Sequence, residues 1–208
     1  RVHFPVQPIL EGTTGTQKTV VLLVNFDNDK SEPVSTEQVR QIMFGQDGSS
    51  ALTYYKENSF DKTYFQGEVF GWFTIPATTD CRYWDWAIQA EEAASASGVN
   101  IDSYPRRVYT FSSARCPWAG LGDIGGNPSR SWIFYPEETG IYFHELGHNL
   151  GVNHASSLDC ISPTNIITPI PSTEIQKDPA GFGSQCYRSE YGDPYEVMGY
   201  NIYSGNFN

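Results

Sequence analysis

The sequence predicts an α+β fold in which a twisted mixed sheet, covered by helices, lies above a cleft and a small irregular C-terminal subdomain lies below it. The first observation is the apolar, β-branched run Thr19 to Asn25, which is typical of a central strand buried on both faces. The second is the succession of helix and strand patterns that leads to a histidine-rich helix near His144. The third is the proline-rich, polar chain after His154, where regular periodicity is lost.

The chain is interpreted as an N-terminal arm, residues 1–18, and one domain, residues 19–208. The arm mixes proline, glycine and threonine without a period, so we expect an extended segment or a propeptide remnant. Within the domain we expect an upper subdomain over residues 19–151 and a lower one over residues 152–208. A chain of 208 residues with 39% hydrophobic content is long enough to bury a sizeable core.

Helices and strands alternate before the histidine-rich segment. Three helices are predicted from cap residues and helical spacing: Ser35 to Phe44, Ser50 to Asn58, and Arg82 to Ser97. The first opens with a capping box at Ser35 and Gln38, and Asp80 is expected to cap the third. Four more strands are predicted: Tyr64 to Ile75, where Gly67 and Gly71 interrupt the alternation as in a strand that bulges, Val108 to Phe111, Trp118 to Ile124, and Ser131 to Tyr135.

Composition argues against several classes of partner. The formal net charge of -11 would repel nucleic acids and anionic membranes. No segment approaches the roughly 18 consecutive apolar residues of a membrane span. No signal peptide or pro-segment is recognisable, so we expect a mature or trimmed chain, and we expect it to be a monomer.

The four cysteines indicate an oxidising compartment. Cys81, Cys116, Cys160 and Cys186 allow three full pairings, and none lies in a C-x-x-C metal spacing. We expect the sequence-local pairing, Cys81 with Cys116 and Cys160 with Cys186, in a secreted protein. The alternative is four buried thiols in a cytosolic protein.

One stretch, His144 to His154, carries a metal-site pattern, H-E-x-x-H-x-x-G-x-x-H. His144 and His148 lie four residues apart, so on a helix their imidazoles project from the same face. Gly151 can leave the helix in a left-handed conformation and turn the chain back, so that His154 becomes a third ligand. Three nitrogens leave a fourth position for water or substrate, which is typical of catalytic rather than structural zinc. A bare H-x-x-x-H would favour a polar helix face instead.

Two further features are predicted around this zinc site. Glu145 follows the first ligand and is placed to hold a water on the metal, as a general base does. The glycine-rich segment Gly120, Leu121, Gly122, Asp123 and Ile124 is expected to be an unpaired edge strand that accepts an extended substrate, although a packed hairpin without an open edge is an alternative.

The acidic cluster from Asp27 to Asp29 could bind calcium. It lacks the glycine and the distal glutamate of a calcium loop, so a solvated turn is favoured.

The eleven-residue pattern is the extended motif of the metzincin metallopeptidases, which this chain therefore resembles. Met198, in the turn-rich segment Tyr191 to Tyr200, resembles their methionine turn and is expected to form the apolar floor beneath the zinc, although it could also be core filler. The M-x-Y spacing to Tyr200 resembles that of astacins and serralysins. In those families such a tyrosine stabilises the oxyanion, although a packed aromatic is the alternative here.

Four softer segments resemble the gametolysin family of metzincins: Val20 to Phe26, Cys81 to Trp84, Cys116 to Gly126, and Tyr191 to Pro194. The residue after the third histidine is Ala155, where matrixins have Ser, adamalysins Asp, astacins Glu and serralysins Pro. That departure argues against those four families.

The resemblance implies a secreted zinc endopeptidase with one catalytic Zn²⁺ and a protein or peptide substrate. In that mechanism zinc activates a water and Glu145 takes its proton. Two alternatives stay open. One is a zinc-bearing binding module with little turnover, against which the presence of Glu145 argues, and the other is a metalloamidase that acts on non-peptide amides with the same chemistry.

Overall fold

A computed structural model describes residues 12–160 and 186–199, and within them the chain forms a five-stranded mixed sheet. The strands are β1 (Gly15–Phe26), β2 (Thr63–Ile75), β3 (Arg106–Phe111), β4 (Gly120–Gly122) and β5 (Ser129–Ile133). Their order is β2-β1-β3-β5-β4, and every neighbouring pair is parallel except β4 with β5. The predicted mixed α/β fold class is confirmed.

Four α-helices pack on this sheet: α1 (Thr36–Phe44), α2 (Ala51–Asn58), α3 (Tyr83–Ala96) and α4 (Thr139–Asn149), with a short 3-10 helix at Ile101–Ser103. The capping box predicted for α1 is present, because Ser35 Oγ accepts from Gln38 N and Gln38 Oε1 accepts from Ser35 N. No helix in the described part of the chain is long and apolar enough to cross a membrane.

The central strand β1 separates two hydrophobic layers. Val21 and Leu23 face the layer that holds α1, α2 and α4. Val20, Leu22 and Val24 alternate with them and face the layer that holds α3. All five side chains are fully buried, so the continuous apolar run reflects a strand covered on both faces, as predicted.

Two predicted boundaries are wrong. The arm was expected to extend to residue 18, but β1 begins at Gly15, because its backbone already pairs there with Thr63 of β2. Residues 1–11 of that arm lie outside the described residues. Asp80 does not cap α3: the N-cap position is Arg82, which makes no side-chain cap bond and instead pairs with Asp85.

The bulge predicted in β2 lies opposite Leu23. The pairing register with β1 shifts between Leu22 and Val24, and Gly71 occupies the irregular position with φ of 119°. A side chain on Gly71 would overlap the Leu23 carbonyl oxygen, so both the torsion and the close approach require glycine.

Cysteine pairing is confirmed for the first predicted disulfide. Cys81, just before α3, is bonded to Cys116 in the loop after β3, with their Cα atoms 5.0 Å apart. The disulfide therefore ties the start of α3 to the chain that leads into β4.

The described chain after α4 contains a small antiparallel ribbon formed by β6 (Ser157–Cys160) and β7 (Cys186–Ser189). Its backbone register places Cys160 opposite Cys186, but the side chains of these two cysteines lie outside the described residues. The second disulfide and the two-subdomain division therefore stay predictions.

Candidate metal centre

Helix α4 carries the first two histidines on one buried face. From Gly140 to Asn149 every residue of α4 is buried, and His144 and His148 are only 5% and 6% exposed. Their ring centroids lie 4.8 Å apart. This is the one-turn spacing that the sequence pattern predicts.

The third histidine reaches the same point because the chain reverses after α4. Gly151 has φ of 86°, in the left-handed region where a Cβ is unfavourable. Gly151 N donates to His148 O at 2.7 Å, and Val152 N donates to Gly147 O at 3.0 Å. These bonds end the helix and direct the following chain back along it, which brings His154 beside His148.

The three imidazoles form a set of potential metal ligands. One ligand atom from each of His144, His148 and His154 lies within 4.8 Å of the other two, and Nε2 of His148 lies 3.1 Å from Nε2 of His154. Tetrahedral metal–nitrogen bonds of roughly 2.0–2.1 Å place two ligand nitrogens about 3.3 Å apart. The histidine set therefore fits a tetrahedral metal ion with small movements of the rings.

Each histidine holds its other ring nitrogen against an oxygen atom. The distances from Nδ1 are 2.8 Å from His144 to Val197 O, 2.8 Å from His148 to Val152 O, and 2.7 Å from His154 to Glu190 Oε1. A carbonyl oxygen can only accept a hydrogen bond, so Nδ1 carries the proton in the first two rings and Nε2 keeps its lone pair. Metal-ligating histidines are oriented in this way.

Burial keeps the helical histidines uncharged. It lowers the pKa of His144 to about 4 and lowers the pKa of His148 as well. Neutral imidazole is the form that ligates a metal, so both rings are ready to bind at neutral pH. Burial also raises the pKa of Glu145 to about 8, and a metal cation beside this carboxyl would oppose that shift.

The side chain of Glu145 projects from α4 towards β4. A Cβ on Gly120 would overlap Glu145 Oε1, and one on Gly122 would lie 2.7 Å from the Glu145 carbonyl oxygen and 3.1 Å from Oε2. Both glycines are therefore needed for β4 to approach α4 so closely. The structure thus brings the predicted base and the predicted glycine-rich strand together.

Strand β4 lies at the edge of the sheet and pairs only with β5 among the described residues. It ends at Gly122, so the predicted segment that continued through Asp123 and Ile124 is too long. The chain leaves the strand because it binds the end of α4: Asn149 Nδ2 donates to Asp123 O at 3.1 Å, and Gly125 N donates to His148 O at 2.8 Å.

Met198 packs against α4 beside Gly147. It is 3% exposed, and its sulfur would overlap a Cβ on Gly147, the neighbour of His148. Its carbonyl oxygen accepts from Ala155 N at 2.8 Å, next to the third ligand. The turn is therefore attached to the first ligand through Val197 and to the third ligand through Ala155. Tyr200, the predicted oxyanion partner, lies outside the described residues.

Several residues of the site were missed by sequence reasoning. Tyr55 Oη donates to Phe143 O at 2.6 Å and so fixes α2 to α4. The Tyr191 ring lies with its centroid 3.8 Å from that of His154, and Glu190 binds the same imidazole. The sequence signals were weak: both residues lie shortly before Met198, and Tyr191 opens the segment that resembles the gametolysin family. The contacts with His154 depend on the pairing of β6 with β7.

Arg106 is a buried cation that holds the C-terminal end of α4. It is 2% exposed, and burial lowers its pKa. Within the described part of the chain its guanidinium donates to uncharged oxygens: Gln17 Oε1, Gly126 O, Ser129 Oγ, Asn149 O and Gly12 O. A cation at this position also stabilises the negative end of the helix dipole.

Comparison with known families agrees with this geometry. The sequence profile described as gametolysin peptidase M11 matches residues 18–159, which include α4 and all three histidines but end before Glu190 and Met198. A comparison with curated proteins gives no significant match. A family match over more than half of the chain, together with the mixed α/β sheet and the histidine set, shows that this protein belongs to the gametolysin (M11) family of metallopeptidases.

Proposed function

We propose that this protein is a secreted zinc endopeptidase that hydrolyses peptide bonds of extracellular proteins. The observation that carries the proposal is the convergence of three histidine side chains beside the buried carboxyl of Glu145, directly under an edge strand. A metallopeptidase needs these three parts next to one another: metal ligands, a proton carrier and a backbone that holds an extended substrate.

Zinc is the metal that the donor set favours. Three imidazole nitrogens that lie within 4.8 Å of one another suit Zn²⁺, and three protein ligands leave one position for water or substrate. A zinc ion bound to His144, His148 and His154 would supply a Lewis acid for the scissile carbonyl and would make an attacking water more acidic. Calcium and magnesium prefer oxygen ligands, so this site does not suit them.

Glu145 is the residue we assign to proton transfer. Its carboxyl is 5% exposed and lies beside the strand that would hold the substrate. We propose that a Glu145 carboxylate oxygen takes the proton of the attacking water and passes it to the nitrogen of the leaving amine. A single positioned acid–base group contributes about 10²–10⁴ in rate.

The outer edge of β4 is the proposed substrate strand. Its backbone groups on the side away from β5 have no strand partner among the described residues, so an extended peptide can pair there. Gly120 and Gly122 bring this edge against Glu145. A peptide that added a strand to β4 would therefore place its backbone next to the proton carrier.

Secretion is supported by the Cys81–Cys116 disulfide. Structural disulfides persist in oxidising compartments and are rare in the cytosol.

The test compares the wild-type protein with the Glu145→Ala variant on a denatured protein mixture, with zinc content measured for both and cut sites read by mass spectrometry. We expect both proteins to hold zinc and only the wild type to cleave. Absence of cleavage by a zinc-loaded wild type would contradict the endopeptidase and favour a binding module. A wild type that takes up no zinc would refute the metal assignment.

A further inference from the structure

We propose that Glu190 and Tyr191 form a clamp on the third metal ligand, His154, and determine how tightly the site holds its metal. This inference rests on the proposed function only in requiring a metal at the three histidines. Both residues lie beyond the family match, which ends at residue 159.

His154 needs an external support that the other two ligands do not need. His144 and His148 are buried on a helix and donate to backbone carbonyl oxygens. His154 lies in a stretch without helix or strand, residues 152–156, and its side chain is 22% exposed. Its orientation must therefore come from side-chain contacts.

Glu190 supplies the first of these contacts. Its Oε1 lies 2.7 Å from His154 Nδ1, the atom that faces away from the other histidines. A carboxylate on Nδ1 fixes the ring orientation and makes Nε2 a better donor to a metal. The Glu190 side chain is otherwise 64% exposed, which indicates that it serves the histidine rather than the packing of the core.

Tyr191 supplies the second contact. Its ring centroid is 3.8 Å from that of His154 and 6.1 Å from that of His144, so the Tyr191 ring lies on one side of these two histidines. Tyr191 has φ of 60°, a left-handed conformation that is uncommon for a bulky residue. Such conformations persist where the surrounding structure requires one side-chain direction, and they concentrate at functional sites.

The β6–β7 ribbon brings the clamp to its target. Strand β6 begins at Ser157, three residues after His154, and β7 ends at Ser189, directly before Glu190. Ser157 and Ser189 are register partners, so the ribbon closes beside the third ligand. A Cβ on Gly192 would overlap Ser157 Oγ, which shows how closely the turn lies on the start of β6.

The first experiment measures the rate at which zinc-loaded protein gives up its metal to a chromophoric chelator. Removing a ligand's outer partner typically lowers metal affinity about 10–100-fold. We expect that loss to appear in the dissociation rate, so Glu190→Ala should lose zinc faster than the wild type by about that factor. Glu190→Gln should fall between the two, because its amide oxygen still accepts from Nδ1–H. Glu196→Ala is the matched control, an exposed carboxylate of the same segment, and should lose zinc at the wild-type rate.

The second experiment tests the aromatic half of the clamp. Tyr191→Ala should also lose zinc faster, whereas Tyr195→Ala should not, because Tyr195 is 86% exposed. The double variant Glu190→Ala/Tyr191→Ala should deviate from the sum of the single effects, since both residues act on one imidazole. In Co²⁺-loaded protein, Glu190→Ala should shift the visible absorption spectrum, which a change remote from the ligands would leave unaltered.

If Glu190→Ala lost zinc at the same rate as the wild type, the proposed clamp would be refuted. A lower thermal midpoint of the metal-free Glu190→Ala protein that accounts for the faster loss would also overturn it, because the role would then be general stability. The readout is independent of peptide cleavage: a wild type that holds zinc without cleaving refutes the proposed function and leaves the clamp standing. Absence of zinc binding by the wild type refutes both.

Discussion

The first two histidines and the third are held by different kinds of structure. His144 and His148 lie on α4, which is buried under β4, β5 and α2 and closed at its end by Arg106. His154 lies on an irregular segment, and its partners are Glu190, 36 residues further along the chain, and the adjacent Tyr191, both just after β7. We call α4 with His144 and His148 the rigid half of the site, and His154 with Glu190 and Tyr191 the peripheral half. We infer that the rigid half fixes the position of the metal site and that the peripheral half adjusts the affinity of the site for its metal.

The largest effect is expected from the removal of a metal ligand itself, compared with the removal of a residue that supports a ligand. His148→Ala removes an imidazole from the buried face of α4, and the two remaining histidines cannot supply the three nitrogen ligands of the metal. We expect zinc content near zero and cleavage at background level, with the loss exceeding that of any Glu190 variant. Zinc analysis and peptide cleavage measure both. Full zinc occupancy in this variant would show that another residue replaces His148.

Substitutions in the two halves should also differ strongly in their effect on the free energy of unfolding. Arg106→Leu would leave the buried oxygens Gln17 Oε1, Ser129 Oγ and Asn149 O without this donor, and each unsatisfied buried group costs about 1–3 kcal/mol. We expect a loss of at least about 3 kcal/mol in the free energy of unfolding, measured by denaturant titration of the metal-free protein.

The matched variant in the ribbon is Arg188→Leu. Arg188 is exposed and binds the Ser156 hydroxyl at 2.9 Å, so its replacement should change the free energy of unfolding by about 0.5 kcal/mol or less. Equal effects of the two arginine substitutions would contradict the division into a rigid and a peripheral half.

The sequence predicted the two helical ligands because their geometry is local. Spacing alone places His144, Glu145 and His148 on α4, and Gly151 signals the reversal that leads to His154. The capping box of α1 and the central strand β1 were predictable for the same reason. Glu190, Tyr191 and Arg106 were not, since their contacts join residues separated by 20 or more positions, and no local pattern encodes them.

Edge strand β4 shows an intermediate case. Its glycines predict an open backbone for a substrate, and the structure adds a second reason for them, the close approach of Gly120 and Gly122 to Glu145. The strand end was misplaced because Asn149 and His148 bind the chain at Asp123 and Gly125. These contacts come from the far end of α4 and are invisible in the glycine pattern.

A smaller effect is expected where the two halves touch. Gly147→Ala gains about 1 kcal/mol of helix propensity but places a methyl group on the Met198 sulfur and 3.0 Å from Tyr55 Oη. Overpacking of this kind costs about 1–3 kcal/mol, so we expect a net loss of stability. Adding Met198→Ala should remove part of that penalty, and a double-mutant cycle on the free energy of unfolding measures the coupling. Independent effects would show that the Met198 turn does not press on α4.

The smallest expected effect tests whether β4 positions Glu145 without touching the metal. A methyl group on Gly120 would overlap Glu145 Oε1 and lie 2.7 Å from Ile141 Cγ2, so the carboxyl must shift in Gly120→Ala. A displaced proton carrier lowers the turnover rate, and we expect kcat to fall by about 10-fold, well short of the loss from deleting the carboxyl. Zinc content should stay intact, because the three histidines keep their Nδ1 partners. Leu121→Ala is the comparison on the same strand: Leu121 packs against the α3 layer, so its loss should lower stability without pushing on the Glu145 carboxyl. If Gly120→Ala instead lost zinc at full kcat per bound metal, β4 would support the ligands rather than the base, and the rigid half of the site would extend to the edge of the sheet.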